Sequence, residues 1–354
     1  MTAPSSAGTA FTPAETRAMA RAVELSRTPG VPHGPNPRVG CVLVDDDGAT
    51  VAEGYHRGAG TEHAEVDALT RAGERARGTT ALVTLEPCNH TGRTGPCAEA
   101  LVAAGVRRVV FAQADPNPVA TGGADTLRAA GVEVAHGLLE HAARATNRVW
   151  TFAVGHQRPF VTWKFATTLD GRSAAADGTS RWISSAAARE DTHRLRALCD
   201  VILAGTGTVL VDDPELTVRD ADGRPLPQQP LRAVMGLRSV PDDRRVRNDV
   251  AETVVLPTRD PAEALAALFA RDRQHVFLEG GPTLAAAFLR AGLVDEVVCY
   301  VAPMLLGAGL NAVGDLGITT IGDALHLDVA DVTTLGEGAD RNVRLVLTPP
   351  RKER

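Results

Sequence analysis

The feature that most constrains this chain is His63-Ala64-Glu65, read together with Pro87-Cys88 and Pro96-Cys97. One imidazole and two thiolates form a sufficient donor set for a catalytic zinc, which takes three protein ligands and keeps a fourth position open for water or substrate. Glu65, two residues after the histidine, is equipped to carry a proton from that water to a leaving group. A structural zinc would want a fourth protein ligand. His90 could supply one, but Glu65 would then have no function. Residues so far apart in sequence meet only if the chain between them folds back on itself, so the donor set constrains the fold along with the chemistry.

The local sequence shows how that happens. Thr12-Pro13-Ala14-Glu15 combines a capping Thr, a Pro at the first helical position and a Glu at the third, which predicts a helix to about Ser26. A Pro- and Gly-rich loop runs from Pro29 to Pro37. Residues 41–44 and 51–55 predict a hairpin around an Asp-Asp-Asp-Gly turn. A helix over 62–72, stopped by Gly73, carries His63 and Glu65 in its first turn. A strand over 81–85 leads into Glu86-Pro87-Cys88, and a helix from Pro96-Cys97 closes at Gly105. Strand 106–111, helix 123–130, strand 132–135 and one long helix over 136–154 complete the first half. Such alternation implies a mostly parallel sheet covered by helices. Both ligand clusters then sit at helix N-termini beside strand ends, where the exposed N–H groups and the dipole favour thiolate over thiol.

At 354 residues the chain is long enough for two or three domains. The short polar link Gly155-His156-Gln157-Arg158-Pro159 marks the boundary, giving domains over 12–154 and 159–350. The second half reads as another α/β unit. Its elements are strand 160–166, helix 185–198, strand 201–204 running into Gly205 to Pro214, strand 231–235, helix 261–270, strand 276–279, a helix opened by Gly280-Gly281-Pro282-Thr283, and strand 296–301. Gly205-x-Gly207 lacks the third glycine of the dinucleotide fingerprint and has no suitably placed acid, which disfavours a Rossmann fold. The Glu279 to Thr283 turn fits an anion site at a helix N-terminus, and Arg196 and Arg219 could grip a phosphate.

Composition removes other classes. Thirty-seven basic residues against 43 acidic give a net charge of -6, and aromatics are only 4%, so a nucleic-acid surface is not expected. Five cysteines, two of them in the donor set, argue against a disulfide framework and for a reducing cytoplasm. Cys41, Cys199 and Cys299 lie in or beside apolar stretches and are assigned to packing. Residues 1–10 are read as a tail without signal-peptide character, and no apolar run is long enough to span a membrane.

His-x-Glu followed by Pro-Cys and a second Cys is the arrangement of zinc base and nucleoside deaminases, where the two cysteines usually stand in a C-x-x-C spacing. Here eight residues, Asn89 to Pro96, separate them. With Asn36-Pro37-x-Val39-Gly40, Thr84-Leu85-Glu86-Pro87-Cys88, the His90 and Arg93 insert and Asp115-Pro116-Asn117-Pro118, this half resembles the deaminase half of the bifunctional riboflavin-biosynthesis deaminase/reductase. The second half is similar to the reductase half through Lys164-x-Ala166-Thr-Thr-Leu-Asp170-Gly171, the Ser180 and Trp182 segment, Thr208 to Arg219, and Glu279-Gly-Gly-Pro-Thr283. The likeness spans about residues 12 to 348.

The resemblance implies a cytidine-deaminase-like three-layer α/β/α domain followed by a dihydrofolate-reductase-like α/β domain. Zinc would be held by His63, Cys88 and Cys97, with Glu65 as the catalytic proton carrier. Asn36, His56, His90 and Arg93 would contact the deaminase substrate, and Ser180, Arg196, Leu216, Arg219 and Glu279 the ribose phosphate in the reductase. Lys164, Ala166, Trp182, Thr208, Asp212, Gly280, Gly281 and Thr283 would line NADPH. The implied reactions are deamination of a 2,5-diaminopyrimidinone ribosylamine phosphate and reduction of the product's ribosyl group to ribityl. The implied partners are this small molecule and a second copy or more of the chain, as a dimer or tetramer, with no nucleic acid and no membrane. One departure stands out. After the strand ending at Met235 the family usually has an Asp and a small hydroxyl residue near the cofactor, whereas this chain has Gly236 and Leu237. A paralogue of altered role and a nucleic-acid-editing deaminase are the competing readings.

Overall fold

Apolar runs that alternate with helices account for both halves of the molecule, in a computed structural model that describes residues 11–89, 95–117 and 120–350. The segment 1–10, His90 and Arg93 lie outside the described residues. The chain divides between Gln157 and Arg158 into two units.

The first unit runs α1 (Pro13–Ser26), β1 (Gly40–Val44), β2 (Thr50–Tyr55), α2 (Ala64–Ala72), β3 (Thr80–Leu85), α3 (Cys97–Ala103), β4 (Arg108–Gln113), α4 (Gly123–Ala129), β5 (Glu133–His136), α5 (Glu140–Thr146) and α6 (Arg148–His156). Its five strands lie in the order β2-β1-β3-β4-β5. The pairs β3–β4 and β4–β5 are parallel, but β1 runs antiparallel to both β2 and β3, so the sheet is mixed where a mostly parallel one was expected. The hairpin signal in the Asp-Asp-Asp-Gly turn was the local cue for that reversal.

Side chains alternate across the sheet. Cys41, Leu43, Ala81, Val83 and Val109 pack on one face with Ala68 of α2, Leu101 of α3 and Leu127 of α4. Val42, Val44, Leu82 and Val110 pack on the other with Met19 and Val23 of α1 and Ala143 of α5. Both faces are covered, which is why these strands read as unbroken apolar runs. The result is three layers. At Gly54 a Cβ would stand 2.3 Å from the Ala64 carbonyl oxygen and 2.4 Å from the Ala68 nitrogen, so α2 lies directly on the β2 backbone.

The long helix expected over 136–154 is broken in two at Asn147, and His136 ends β5. Asn147 is 3% exposed, and its side-chain amide pairs with a single backbone residue far away in sequence. Its Oδ1 accepts from Arg38 N at 2.8 Å and its Nδ2 donates to Arg38 O at 2.9 Å. A tertiary demand for those two bonds overrides helix continuity, as side-chain competition for backbone groups does elsewhere.

The second unit runs β6 (Phe160–Thr168), β7 (Arg172–Ala174), α7 (Ala186–Arg196), β8 (Val201–Gly205), α8 (Thr206–Asp212), β9 (Leu231–Met235), β10 (Thr253–Leu256), α9 (Pro261–Phe269), β11 (His275–Leu278), α10 (Pro282–Arg290), β12 (Glu296–Ala302), β13 (Leu310–Asn311), β14 (Asp328–Leu335) and β15 (Asn342–Thr348). Eight strands form one sheet in the order β10-β9-β8-β11-β6-β12-β15-β14, parallel from β10 to β12 and antiparallel from there to β14. The main core joins Val161, Leu203, Ala233, Val276 and Leu278 to Leu265, Leu268, Ala285 and Phe288 of the flanking helices. The sequence reading left α8, β7, β10, β13, β14 and β15 without elements. For β14 the reason is plain: most of its residues are exposed and the stretch carries no apolar alternation, so only pairing with β15 makes it a strand.

Among the described residues no helix is long and apolar enough to cross a membrane. Asn147→Ala should lower the unfolding free energy in urea by about 2–4 kcal/mol, because it strands one buried N–H and one buried C=O of Arg38.

Candidate functional site

In the first unit His63 is the N-cap of α2, one residue before the helix, and not within its first turn as expected. The side chain makes no capping bond, which leaves the ring free to turn toward the cysteines. Cys88 follows the end of β3, and Cys97 opens α3. The donor atoms of the three lie within 4.8 Å of one another. His63 Nδ1 is 3.2 Å from Cys97 Sγ and 3.6 Å from Cys88 Sγ. Zinc bonds of about 2.0–2.3 Å in a tetrahedron put ligand atoms roughly 3.5–3.8 Å apart, so the donors fit the ion in type, number and spacing.

The electrostatics agree. A hydrogen bond from the Cys97 thiol, helped by His63, pulls the Cys88 thiol down to about 4, and the same bond pushes Cys97 up. That pattern favours the thiolate at Cys88, and a bound dication would displace the thiol proton at Cys97. The Cys97 backbone N–H also donates to Cys88 Sγ at 3.5 Å. Glu65 is 4% exposed beside the cluster. Burial pushes its carboxyl up to about 7, against the opposing pull of its backbone N–H and of His63.

Asn36 and His56 come to the same place. Asn36 Nδ2 lies 3.1 Å from His56 Nε2, and His56 Nδ1 lies 2.9 Å from the Glu62 carbonyl. The carbonyl can only accept, so Nδ1 carries the proton and Nε2 accepts from the Asn36 amide. The His56 ring stands edge-on to His63 with centroids 5.3 Å apart. Burial holds His56 below the usual imidazole range, in keeping with that neutral form.

The sequence reading missed the residues that hold the cysteine loop. The Glu86 carboxylate accepts from Ala124 N at 3.1 Å and Asp115 N at 3.3 Å, and Asn89 Oδ1 accepts from Thr126 at 2.9 Å. A Cβ at Gly123 would lie 1.8 Å from the Pro87 carbonyl oxygen, so α4 abuts the loop directly. Nothing local in the sequence distinguishes Gly123 from an ordinary helix-start glycine.

In the second unit Glu279, just past β11, gathers two cations. Arg196 at the end of α7 binds it bidentately, Nε–Oε1 at 2.5 Å and Nη2–Oε2 at 2.9 Å. Lys164 Nζ of β6 is 4.0 Å from Oε2. Burial pushes the Glu279 carboxyl up, but Arg196 and Lys164 outweigh it and leave it below the ordinary carboxylate range. Two cations to one carboxylate leave a positive balance suited to a phosphate. Arg196 Nη1 donates to Thr217 O at 2.7 Å, Arg219 pairs with Glu215, and Arg219 N donates to His193 Nδ1 at 3.2 Å. His193 was not singled out from the sequence, although its position three residues before Arg196 on α7 puts both on one helix face. Leu216 is 4% exposed, so its side chain is core and only its backbone, at φ +52°, can face a ligand.

Thr208, Gly281 and Thr283 line a cavity of about 630 Å³ with Gly205 to Gly207, Met235 to Arg238, Thr258 and Arg259. It opens beyond the carboxyl ends of β8, β9 and β10, where ligands bind in open α/β sheets, and its size suits a cofactor. Gly280 adjoins it, while Lys164 and Ala166 sit on β6, with Lys164 in the Glu279 cluster. Trp182 is 65% exposed under the Arg189 guanidinium, 4.5 Å away, and Ser180 is exposed beside it. Arg181 donates to the Asp212 carbonyl at 3.2 Å, which brings that segment to the end of α8. The unusual Gly236 lines the cavity at φ +144°, and a Cβ there would stand 2.4 Å from Thr206 Oγ1. Glycine is what this backbone admits.

With known proteins the chain shares both halves. Residues 13–113 match the cytidine and deoxycytidylate deaminase zinc-binding region, and residues 159–339 match the RibD C-terminal domain. The riboflavin biosynthesis protein RibD of Mycobacterium tuberculosis is 54% identical over 303 residues, 85% of this chain and 89% of that protein. RibD of Escherichia coli is 40% identical over 352 residues, covering 90% and 96%. Acinetobacter baumannii RibD superposes with a TM-score of 0.86 at 37% identity, covering 95% of this chain and 99% of that one. A Thermotoga maritima diaminohydroxyphosphoribosylaminopyrimidine deaminase/5-amino-6-(5-phosphoribosylamino)uracil reductase superposes at 0.83 with 32% identity, covering 95% and 99%.

Replacing a zinc donor, as in Cys97→Ser or His63→Ala, should weaken zinc binding by more than about 100-fold, the upper range for merely removing a donor's own hydrogen-bond partner. Competition with a chromogenic chelator measures it directly.

Proposed function

Because the chain belongs to the RibD family of riboflavin biosynthesis, bifunctional enzymes with a zinc-binding deaminase domain and a reductase domain, we propose the following division of labour. Residues 12–154 deaminate 2,5-diamino-6-ribosylamino-4(3H)-pyrimidinone 5′-phosphate. Residues 159–350 then reduce the ribosyl group of 5-amino-6-(5-phosphoribosylamino)uracil to ribityl. The observation that carries the reading is the buried Glu65 beside the convergent His63, Cys88 and Cys97.

Zinc on those three residues supplies a Lewis acid that brings the pKa of water near 7. Glu65 takes the proton released as water's oxygen adds to the amine-bearing ring carbon, and returns it to the nitrogen as the carbon–nitrogen bond breaks. Ammonia leaves and the ring keeps the oxygen. Burial raises the Glu65 carboxyl above its ordinary range in the metal-free protein, which suits a group that must both take and return a proton. Asn36 and His56 orient the pyrimidine from the side of His63, and His90 and Arg93 in the insert read its ribose phosphate.

In the reductase NADPH supplies a hydride, and the chain's own residues bind and orient. Arg196, Arg219 and Ser180, with the Leu216 backbone, hold the sugar phosphate, and Glu279 keeps Arg196 and Lys164 in place. Ala166, Trp182, Thr208, Asp212, Gly280, Gly281 and Thr283 position the dinucleotide. The protein works in the cytoplasm as a homo-oligomer. Exposed Val329 and Val332 on the edge strand β14, with Ile321 92% exposed, support self-association.

Mass spectrometry of the product made from the diaminopyrimidinone substrate tests both halves. Deamination alone should occur without NADPH, and deamination plus two added hydrogens with it. Deamination without reduction would remove the reductase half of the reading, and an unchanged substrate would remove all of it. Glu65→Gln should lower deaminase kcat by about 10²–10⁴-fold while the protein still binds zinc.

A further inference from the structure

Arg219 meets Pro225 across a short antiparallel turn, as an isolated bridge. The bonds on either side run from Leu226 N to Val218 O and from Asp220 N to Arg224 O, both at 3.0 Å. Arg219 and Pro225 are therefore a pair with no hydrogen bond between them, and the Arg219 N–H points away from the facing segment. A main-chain donor turned into the protein needs an acceptor there. A side chain supplies it: His193 Nδ1 of α7 accepts from Arg219 N at 3.2 Å.

The contact ties two segments together at matched positions. His193 and Arg196 stand three residues apart in the last turn of α7 and share a face. Arg196 Nη1 donates to Thr217 O at 2.7 Å, so α7 grips residues 217–219 at two points along one edge. The opposite edge is held at Val218, whose N–H donates to Gln229 Oε1 at 2.8 Å and whose carbonyl accepts from Gln229 Nε2 at 2.9 Å. Alternate residues of an extended segment turn their backbone groups to opposite edges, so Thr217 and Arg219 serve α7 while Val218 serves Gln229. The Arg219 side chain starts from this fixed backbone, with Nε donating to Thr217 Oγ1 at 3.2 Å.

An imidazole suits this post for an electrostatic reason. A backbone N–H can only donate, so Nδ1 is unprotonated. Burial, with the guanidiniums of Arg196 and Arg219, pushes His193 down to about 4, against the pull of Glu279 and of the Thr217 carbonyl. The ring is then neutral and accepts the N–H without adding a third positive charge beside the two arginines. A carboxylate there would accept too, but it would cancel charge that a phosphate needs. We propose that His193 is a positioning residue of the reductase: its Nδ1 fastens residues 217–219 to α7, so that Arg196 and Arg219 close on the substrate's 5′-phosphate as a preformed pair. The proposal rests on the reading above that those two arginines hold the sugar phosphate. Fixing the spacing of two phosphate donors before the ligand arrives strengthens binding by removing the cost of ordering them.

The test is steady-state reductase kinetics of the full chain, followed by NADPH oxidation, on 5-amino-6-(5-phosphoribosylamino)uracil and on its dephosphorylated form. His193→Leu keeps bulk at the site without an acceptor, whereas the side-chain oxygen introduced by His193→Asn can take the place of Nδ1. His193→Leu should raise KM for the phosphorylated substrate by about five- to tenfold, the net worth of one hydrogen bond, and leave kcat and the KM for NADPH within about twofold. His193→Asn should recover most of that loss. The dephosphorylated substrate should not distinguish the three proteins, because it gives the arginine pair nothing to hold. An unchanged KM, an equal loss on both substrates, a fall in kcat alone, or no recovery with His193→Asn would overturn the assignment. An unmodified chain that reduces both substrates equally well would remove the phosphate grip itself. One that reduces neither would remove the reductase reading, so the three failures are distinct.

Discussion

Two backbone contacts without room for a side chain hold the first unit's chemistry in place. At Gly54 the α2 backbone rests on β2, and at Gly123 the start of α4 rests on the Pro87 carbonyl. The first seats the N-cap His63 over the sheet, and the second braces the loop that presents Cys88. Donor atoms from separate elements must agree to within a few tenths of an ångström for a metal site to work. Main-chain contacts set that tolerance better than side-chain packing can, because they have no rotamers to relax. The Glu86 bonds to Ala124 and Asp115 add a second brace to the same loop.

Burial then does opposite things in the two units. In the metal-free protein burial outweighs the pull of His63 and of the backbone N–H at Glu65, so its carboxyl rises above the ordinary range. Glu279 is also largely enclosed, with its side chain 12% exposed, but Arg196 and Lys164 hold its carboxyl below the ordinary range. It behaves as a fixed anion that organises two cations. The same residue type is a proposed proton carrier in one setting and a proposed strut in the other, and the difference is the company each carboxylate keeps.

Both units also place function at the carboxyl ends of their parallel strands, where loops are free to vary without disturbing the sheet. The zinc donors lie before α2, after β3 and at the start of α3, and the proposed cofactor cavity follows β8, β9 and β10. The start of β1 and the end of β2 reach the same end of the first sheet, where Asn36, His56 and His63 lie, whereas β14 and β15 in the second unit carry no assigned chemistry.

The sequence by itself determined which atoms could do chemistry and the order of the elements carrying them. His-x-Glu and the two Pro-Cys pairs specify a donor set, and period-two and helical apolar patterns are local properties that survive without a fold. It also marked the anomaly at Gly236-Leu237. Tertiary structure decided the rest, because the rest depends on distant residues. Asn147 breaks a helix to satisfy Arg38, β14 becomes a strand only beside β15, and Gly123 matters only because Pro87 lies against it. Contacts between residues far apart along the chain leave no periodic trace in it, and that is where sequence reasoning ends.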